Sequence, residues 1–368
     1  MVISRNIIYR QNVLVDEVVP SGFIEGMAFK PRKKKQMTAV KTKLKLTDTR
    51  HNLKPYQYPW AWDLWEKHES MHWLPKVIPM QQDISDWNGK LTEGQKHFLL
   101  QIFRLFTQGD ISVAGAYVKN YLPVLSGHPE IRGLLLGIAA REVIHIKAYA
   151  HLIETLGLPD KIFNEFLEYE AMAAKQKYFD EVEGLDKTHI IQQMTAVSAF
   201  TEGMQLFSSF AMLLNFGRRG LMPGMVKIVT WSILDEDLHV EAMTKLFRTF
   251  VKENPDVWND DLKSQLYTIA EKMVELEDKF IDLAYEQGGM EGLDKADMHQ
   301  YIRYISDRRL IGLGLKGIFK VKKNPLPWVD EMTVLQSHTN FFEQTESSYA
   351  KGSLTGNWND VWGAAKEA

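Results

Sequence analysis

The sequence predicts an all-α protein, a helical bundle organised around a two-metal site. Three observations carry this. Apolar residues recur at helical spacing, as in Phe98, Leu99, Ile102, Phe103, Leu105 and Phe106. No segment alternates apolar and polar residues in the manner of a half-buried strand. Two stretches, Glu142-Val143-Ile144-His145 and Glu236-Asp237-Leu238-His239, each set a carboxylate three residues before an imidazole. On a helix, positions i and i+3 face the same way, so each pair can address one point. Two such pairs, with one more carboxylate from each of two further helices, form the ligand set of a carboxylate-bridged two-metal bundle.

The elements follow in order. Residues 1–50 have weak periodicity and read as an N-terminal arm, and the basic run Lys30-Pro31-Arg32-Lys33-Lys34-Lys35 within it reads as a solvated segment. Residues 51–320 form the helical domain. Tyr58 to Trp73 is aromatic-rich and helical, ending at Leu74-Pro75. Thr92-Glu93-Gly94-Gln95 is a capping box that starts a helix running to Tyr121, before Pro123. The next helix opens at His128-Pro129 and ends near Leu156, where Gly157 and Pro159 follow. Further helices are expected over 161–183, 186–216, 223–254, 259–286 and 295–316, several of them closed by glycine or proline. Residues 321–368 are a connector and a flexible tail. Asn324-Pro325-Leu326-Pro327-Trp328 reads as rigid and non-helical. The segment beyond 337 is rich in Ser, Thr, Asn and Gly with isolated aromatics, the character of a docking peptide.

Composition excludes several classes. The 368 residues are 45% hydrophobic and 25% charged, ordinary for a globular protein, and the net charge of -3 provides no general field for nucleic acid or membrane. The chain has no cysteine, which rules out disulfides, thiolate ligands and thiol catalysis within it. No apolar run is long enough to span a membrane, and the first residues lack the apolar core of a signal peptide. A cytoplasmic protein is the expectation.

The two Glu-x-x-His pairs need partners. Asp110 lies 32 residues before Glu142, and Glu202 lies 34 residues before Glu236, each on the preceding helix. The order is therefore acid, Glu-x-x-His, acid, Glu-x-x-His. A single such motif is commonly a surface pair. Here Glu202 sits among Ala199, Phe200, Met204, Leu206 and Phe207, where an uncompensated charge is costly. Four carboxylates and two imidazoles suit two redox-active divalent metals such as iron or manganese. Tyr149, one turn beyond His145, brings a phenol to the same face.

On these residues the chain resembles the small, radical-generating subunit of class I ribonucleotide reductase. The resemblance runs over about residues 55–360. It rests on Glu142 to His145 with Tyr149, on Glu202, and on Asp235-Glu236-Asp237-Leu238-His239. Supporting stretches are Trp73-Leu74-Pro75, Tyr304 to Leu310, Asn324 to Trp328, and Tyr349 in the tail. It implies a ferritin-like helical bundle with a dinuclear metal centre. Asp110, Glu142 and His145 would bind one metal, and Glu202, Glu236 and His239 the other. Tyr149 matches the position of the stable tyrosyl radical. Trp73, Asp235 and His145 match the hydrogen-bonded chain that passes an electron toward the surface. Tyr349 matches the tail tyrosine that relays oxidation to the large catalytic subunit, on which the tail docks. A homodimer is also implied.

Ser232, four residues before Glu236, departs from the apolar surroundings usual for the radical tyrosine. A di-iron centre with a tyrosyl radical is the first expectation, and a dimanganese centre storing the oxidant on the metals is the second. Two other functions compete: a stand-alone ferritin-like dimetal oxidase or oxygenase, and a metal-free helical scaffold.

Overall fold

The structure is a computed structural model that describes residues 44–333. The expectations placed on most of the N-terminal arm, with its basic run, and on the tail with Tyr349 lie outside the described residues. Among those described, every regular element is helical and no strand forms.

The helices that build the site are α1 (Pro59–Ser70), α2 (Gln81–Gly89), α3 (Glu93–Ala116), α4 (Leu122–Leu125), α5 (Pro129–Thr155), α6 (Glu170–Glu181), α7 (Lys187–Gln193), α8 (Leu206–Arg218), α9 (Pro223–Glu253), α10 (Asp260–Ala284) and α11 (Lys295–Gly312). Two wide, π-wound stretches join them. Tyr117–Tyr121 links α3 to α4, and Met194–Gln205 links α7 to α8. The core is continuous and aromatic-rich, with Phe98, Phe103, Phe106, Phe200, Phe210 and Phe216 fully buried.

Local chemistry explains the boundaries. Thr92 Oγ1 accepts from the Gln95 backbone N–H while Gln95 Oε1 accepts from the Thr92 N–H, so the capping box that opens α3 is formed. Pro129 occupies the first turn of α5, and Gly157 ends it with φ +70°, a conformation open to glycine. Asp186 caps α7 by accepting from the backbone N–H groups of Thr188 and His189.

Four features differ from the sequence reading. The chain stays helical past Pro123 to Leu125. The π-wound turn ahead of it shifts the hydrogen-bond register, and the proline falls in the first turn of a new segment, where its missing N–H costs nothing. The stretch expected as one helix over 161–183 is two short 3₁₀ turns, Asp160–Phe163 and Phe166–Glu168, followed by α6. Helix resumes at 327, so Pro327 and Trp328 open a helical turn instead of lying in a wholly non-helical connector.

The fourth is α2, unforeseen because its short, polar sequence has little periodicity. Its acids cap another element. Asp83 accepts from the N–H groups of Gly224 and Met225, both at 2.8 Å, and Asp86 accepts from Met222 N–H at 2.9 Å. These bonds satisfy the otherwise bare start of α9, the helix that carries Asp235, Glu236 and His239. A side chain at Gly224 would meet Met80 Sδ at 2.4 Å, so only glycine permits this approach. Similarly, Gly133 and Gly137 on α5 accept the rings of Trp62 and Trp65 from α1. That close crossing leaves His68 beside His239 and Trp73 beside Asp235 and His145.

Candidate metal centre

Six side chains from four helical elements converge. α3 supplies Asp110, α5 supplies Glu142 and His145, the π-wound stretch supplies Glu202, and α9 supplies Glu236 and His239. All six are at most 1% exposed. Their ligand atoms form two overlapping groups, Asp110 with Glu142 and His145, and Glu142, Glu202 and Glu236 with His239, each within 4.8 Å. Glu142 belongs to both, as a carboxylate bridging two ions would.

Both imidazoles turn Nδ1 inward. His145 Nδ1 lies 3.3 Å from Glu142 Oε2 and 3.2 Å from Glu236 Oε1. His239 Nδ1 lies 3.0 Å from Glu142 Oε1, 3.3 Å from Glu236 Oε2 and 3.6 Å from Glu202 Oε1. Proximity is not pairing, however. Asp110 Oδ2, Glu142 Oε1, both oxygens of Glu236 and His239 Nδ1 are buried without a hydrogen bond of acceptable geometry. Orphaned buried polar atoms are expensive, and so many aimed at one space fit a cation better than one another.

Electrostatics points the same way. Burial, and then Glu142, push Asp110 well above the ordinary carboxyl range. Burial and Glu236 raise Glu202, against the pull of His239. Burial would lower both imidazoles, but Glu142 beside His145 and Glu236 beside His239 drive them well up. The site demands positive charge. Oxygen and nitrogen donors with no thiolate suit iron or manganese. The residues present therefore fit a dinuclear metal centre.

Outside the ligands, Asp235 gathers three donors. Trp73 Nε1–H donates to its Oδ2 at 2.8 Å, His145 Nε2 lies 3.2 Å from the same oxygen, and Arg141 donates to Oδ1 at 3.0 Å. Although burial opposes ionisation, His145 and Arg141 hold the carboxyl below its ordinary range. Arg141 also donates to the carbonyls of Met71 and His68, which ties the end of α1 to the site.

Tyr149 is buried one turn beyond His145, stacked on Phe106 with centroids 4.1 Å apart and planes at 4°. Its hydroxyl donates to Ser232 Oγ across 3.4 Å, a long contact. Burial, then Asp110, push the phenol far up, so it holds its proton. Of the candidate site residues named in the sequence, Tyr349 lies outside the described residues.

Three residues escaped the sequence reading. Arg141 directly precedes Glu142. His68 sits at the end of α1, with Nε2 3.1 Å from His239 Nε2. Tyr117 donates its hydroxyl to Glu202. Tyr117 alone left a trace, since it stands seven residues after Asp110, two turns along one face.

Glu202 owes its place to an irregular helix. Met194–Gln205 winds widely, with Thr201 Oγ1 donating to the carbonyl of Ala196, five residues back. Wide turns of this kind collect at functional sites. Arg309 Nε–H donates to Gly203 O at 2.7 Å, and a Cβ at Gly203 would stand 2.7 Å from that nitrogen.

Comparison with known proteins agrees with this geometry. The family profile described as "Ribonucleotide reductase, small chain" matches residues 50–325. The chain is 44% identical over 338 residues to a probable ribonucleoside-diphosphate reductase small subunit of Invertebrate iridescent virus 3, covering 87% of this chain and 89% of that one. Among solved structures, it is similar to a ribonucleotide reductase R2 subunit from Clostridium botulinum, with a TM-score of 0.71 and 21% identity, covering 77% of this chain and 91% of that one. It is also similar to the dimanganese(II)-NrdF of Streptococcus sanguinis, with a TM-score of 0.67 and 20% identity, covering 77% and 98%. These structural likenesses support the fold, a ferritin-like helical bundle.

Proposed function

Because this chain belongs to the ribonucleotide reductase small-chain family, we propose that it generates and stores an oxidising equivalent and passes it to a large catalytic subunit that reduces ribonucleoside diphosphates. The observation that carries the reading is the convergence of Asp110, Glu142, His145, Glu202, Glu236 and His239 on one buried space where several of their polar atoms have no hydrogen-bond partner. Family membership favours it over a stand-alone oxidase, and the absence of cysteine explains the need for a partner. A subunit without thiols cannot form the thiyl radical that such a reduction uses.

Asp110, Glu142 and His145 would hold one metal, and Glu202, Glu236 and His239 the other. When bound, the metal pair supplies the oxidising equivalent. We place di-iron first and dimanganese second, the latter supported by the metal named for the Streptococcus sanguinis protein.

The chain's own groups do the rest. Asp235 holds His145 by Nε2–H, which leaves Nδ1 as the ligand atom. The same carboxylate oxygen accepts from Trp73, so indole, carboxylate and ligand imidazole form one hydrogen-bonded line. Phe106 and the surrounding core keep water from Tyr149, whose hydroxyl keeps its proton and aims it at one oxygen. Ser232 Oγ is the hydroxyl placed to steady that proton. Tyr349 would continue the route in the tail, and the tail would dock on the large subunit. We expect a homodimer, as in the Saccharomyces cerevisiae neighbour described by that name. No helix among the described residues is long and apolar enough to cross a membrane, and a reducing compartment such as the cytoplasm suits a chain without cysteine.

The test pairs the full chain with its large subunit. Reduction of a ribonucleoside diphosphate should require both proteins and should disappear when residues 340–368 are deleted. Undiminished turnover by the truncated chain would contradict the docking and relay roles of the tail.

A further inference from the structure

The centre contains a second buried phenol besides Tyr149. Tyr117 lies in the π-wound turn after α3, fully buried, and its hydroxyl reaches both oxygens of Glu202, each at 3.0 Å. The contrast with the other carboxylates is sharp. Glu236 has neither oxygen hydrogen-bonded, and Glu142 lacks a partner at Oε1.

We propose that Tyr117 is a positioning residue of the metal centre, whose O–H presets Glu202 to reach a metal through one oxygen while the other stays hydrogen-bonded. The proposal rests on the two-metal reading above. Two features hold this donor against its acceptor. The ring is braced edge-on by Tyr121, with centroids 5.2 Å apart at 81°. The opposing backbone is pinned as well, because Arg309 holds the carbonyl of Gly203, next to Glu202. A hydrogen bond to an ionised carboxylate, the form a metal-bound Glu202 would take, is among the strong ones. Partners that orient ligands commonly account for ten- to a hundredfold in metal affinity.

Tyr121 supplies the control. It is equally buried and shares the same turn, but its hydroxyl meets Ser198 Oγ at 3.3 Å and not a candidate ligand. The full-length wild type, Y117F and Y121F are titrated anaerobically with Mn(II), with free and bound ion read by electron paramagnetic resonance and elemental analysis. The expected result is a pair of ions in wild type and Y121F, and a loss of about tenfold in affinity for the weaker-held ion in Y117F. Wild-type affinity in Y117F overturns the proposal and leaves the two-metal reading standing. An equal loss in Y121F also overturns it, by assigning the effect to packing. No metal in the wild type overturns the two-metal reading itself. Should Y117F not fold, 3-fluorotyrosine introduced at position 117 alone keeps the shape and strengthens the donor. It must change the affinity or the spectrum, and an unchanged pair of readings overturns the proposal.

Discussion

His145 and His239 both turn Nδ1 toward Glu142 and Glu236, but their Nε2 atoms meet different chemistry. His145 faces Asp235, a carboxylate 3.2 Å away that also holds Trp73 and Arg141. His239 faces a second imidazole, His68, at 3.1 Å. Burial, then His239, push His68 down to about 2, so this side is closed by a neutral ring. The two Glu-x-x-His motifs thus provide matched candidate ligands within unmatched surroundings. The difference is what gives the proposed route its direction. Only the His145 side continues through a charged, hydrogen-bonded line to an oxidisable ring, and Trp73 in turn packs against Trp231 with centroids 5.3 Å apart. The His239 side meets His68, whose Nε2 stands 3.9 Å from Asp235 Oδ1, beyond hydrogen-bond distance, and, through Glu202, Tyr117.

The most damaging way to break this asymmetry is Asp235→Ala. It leaves the Arg141 guanidinium buried without its carboxylate, a loss of about 3–5 kcal/mol. We predict a large fall in melting temperature and no turnover with the large subunit. A variant as stable as wild type would show that Arg141 finds its compensation elsewhere.

Trp73→Phe separates the route from the site. It keeps an aromatic ring and removes the N–H that Asp235 accepts. Metal content should match wild type while nucleotide reduction falls to background. Retained turnover would remove Trp73 from the path.

A pH series on His68→Gln tests the closed side. An ordinary histidine takes up a proton near pH 6.5, whereas folded His68 does not until about 2. Below about pH 6.5 the unfolded chain therefore binds one more proton than the folded one. His68 then costs stability progressively as pH falls, by about 1.4 kcal/mol per pH unit. Glutamine removes that slope. Denaturant melts at pH 7 and pH 5 should show wild type losing more stability than H68Q, and parallel losses would contradict a neutral buried His68.

The smallest effect is expected at Ser232→Ala. Removing a hydroxyl 3.4 Å from Tyr149 should lengthen the life of a tyrosyl signal without changing metal content. A shortened life would make Ser232 a stabiliser.

The ligand-bearing helices were legible because their signals are local. Caps, prolines and glycines mark their ends, and an i, i+3 spacing marks the ligands. The π-wound segment around Glu202 was not, because its winding depends on partners such as Arg309, 106 residues away, and no local preference encodes it. α2 was missed for a similar reason. Asp83 and Asp86 look like surface acids until α9 brings its bare N–H groups to them. His68 and Arg141 become meaningful only when the α1–α5 crossing places them beside Asp235 and His239. Trp73 and Asp235 were singled out through family resemblance, since neither residue announces an electron route by spacing alone.

On this reading two nearly identical motifs hold a pair of redox-active metals, with Tyr149 beside them and one exit from His145 through Asp235 to Trp73. Elemental analysis of natively purified full-length protein, combined with electron paramagnetic resonance after exposure to oxygen, tests it most directly. The account predicts a pair of iron or manganese ions per chain and, for the iron form, a sharp tyrosyl signal that Tyr149→Phe abolishes without loss of metal. Protein that holds no metal and gives no signal would contradict it.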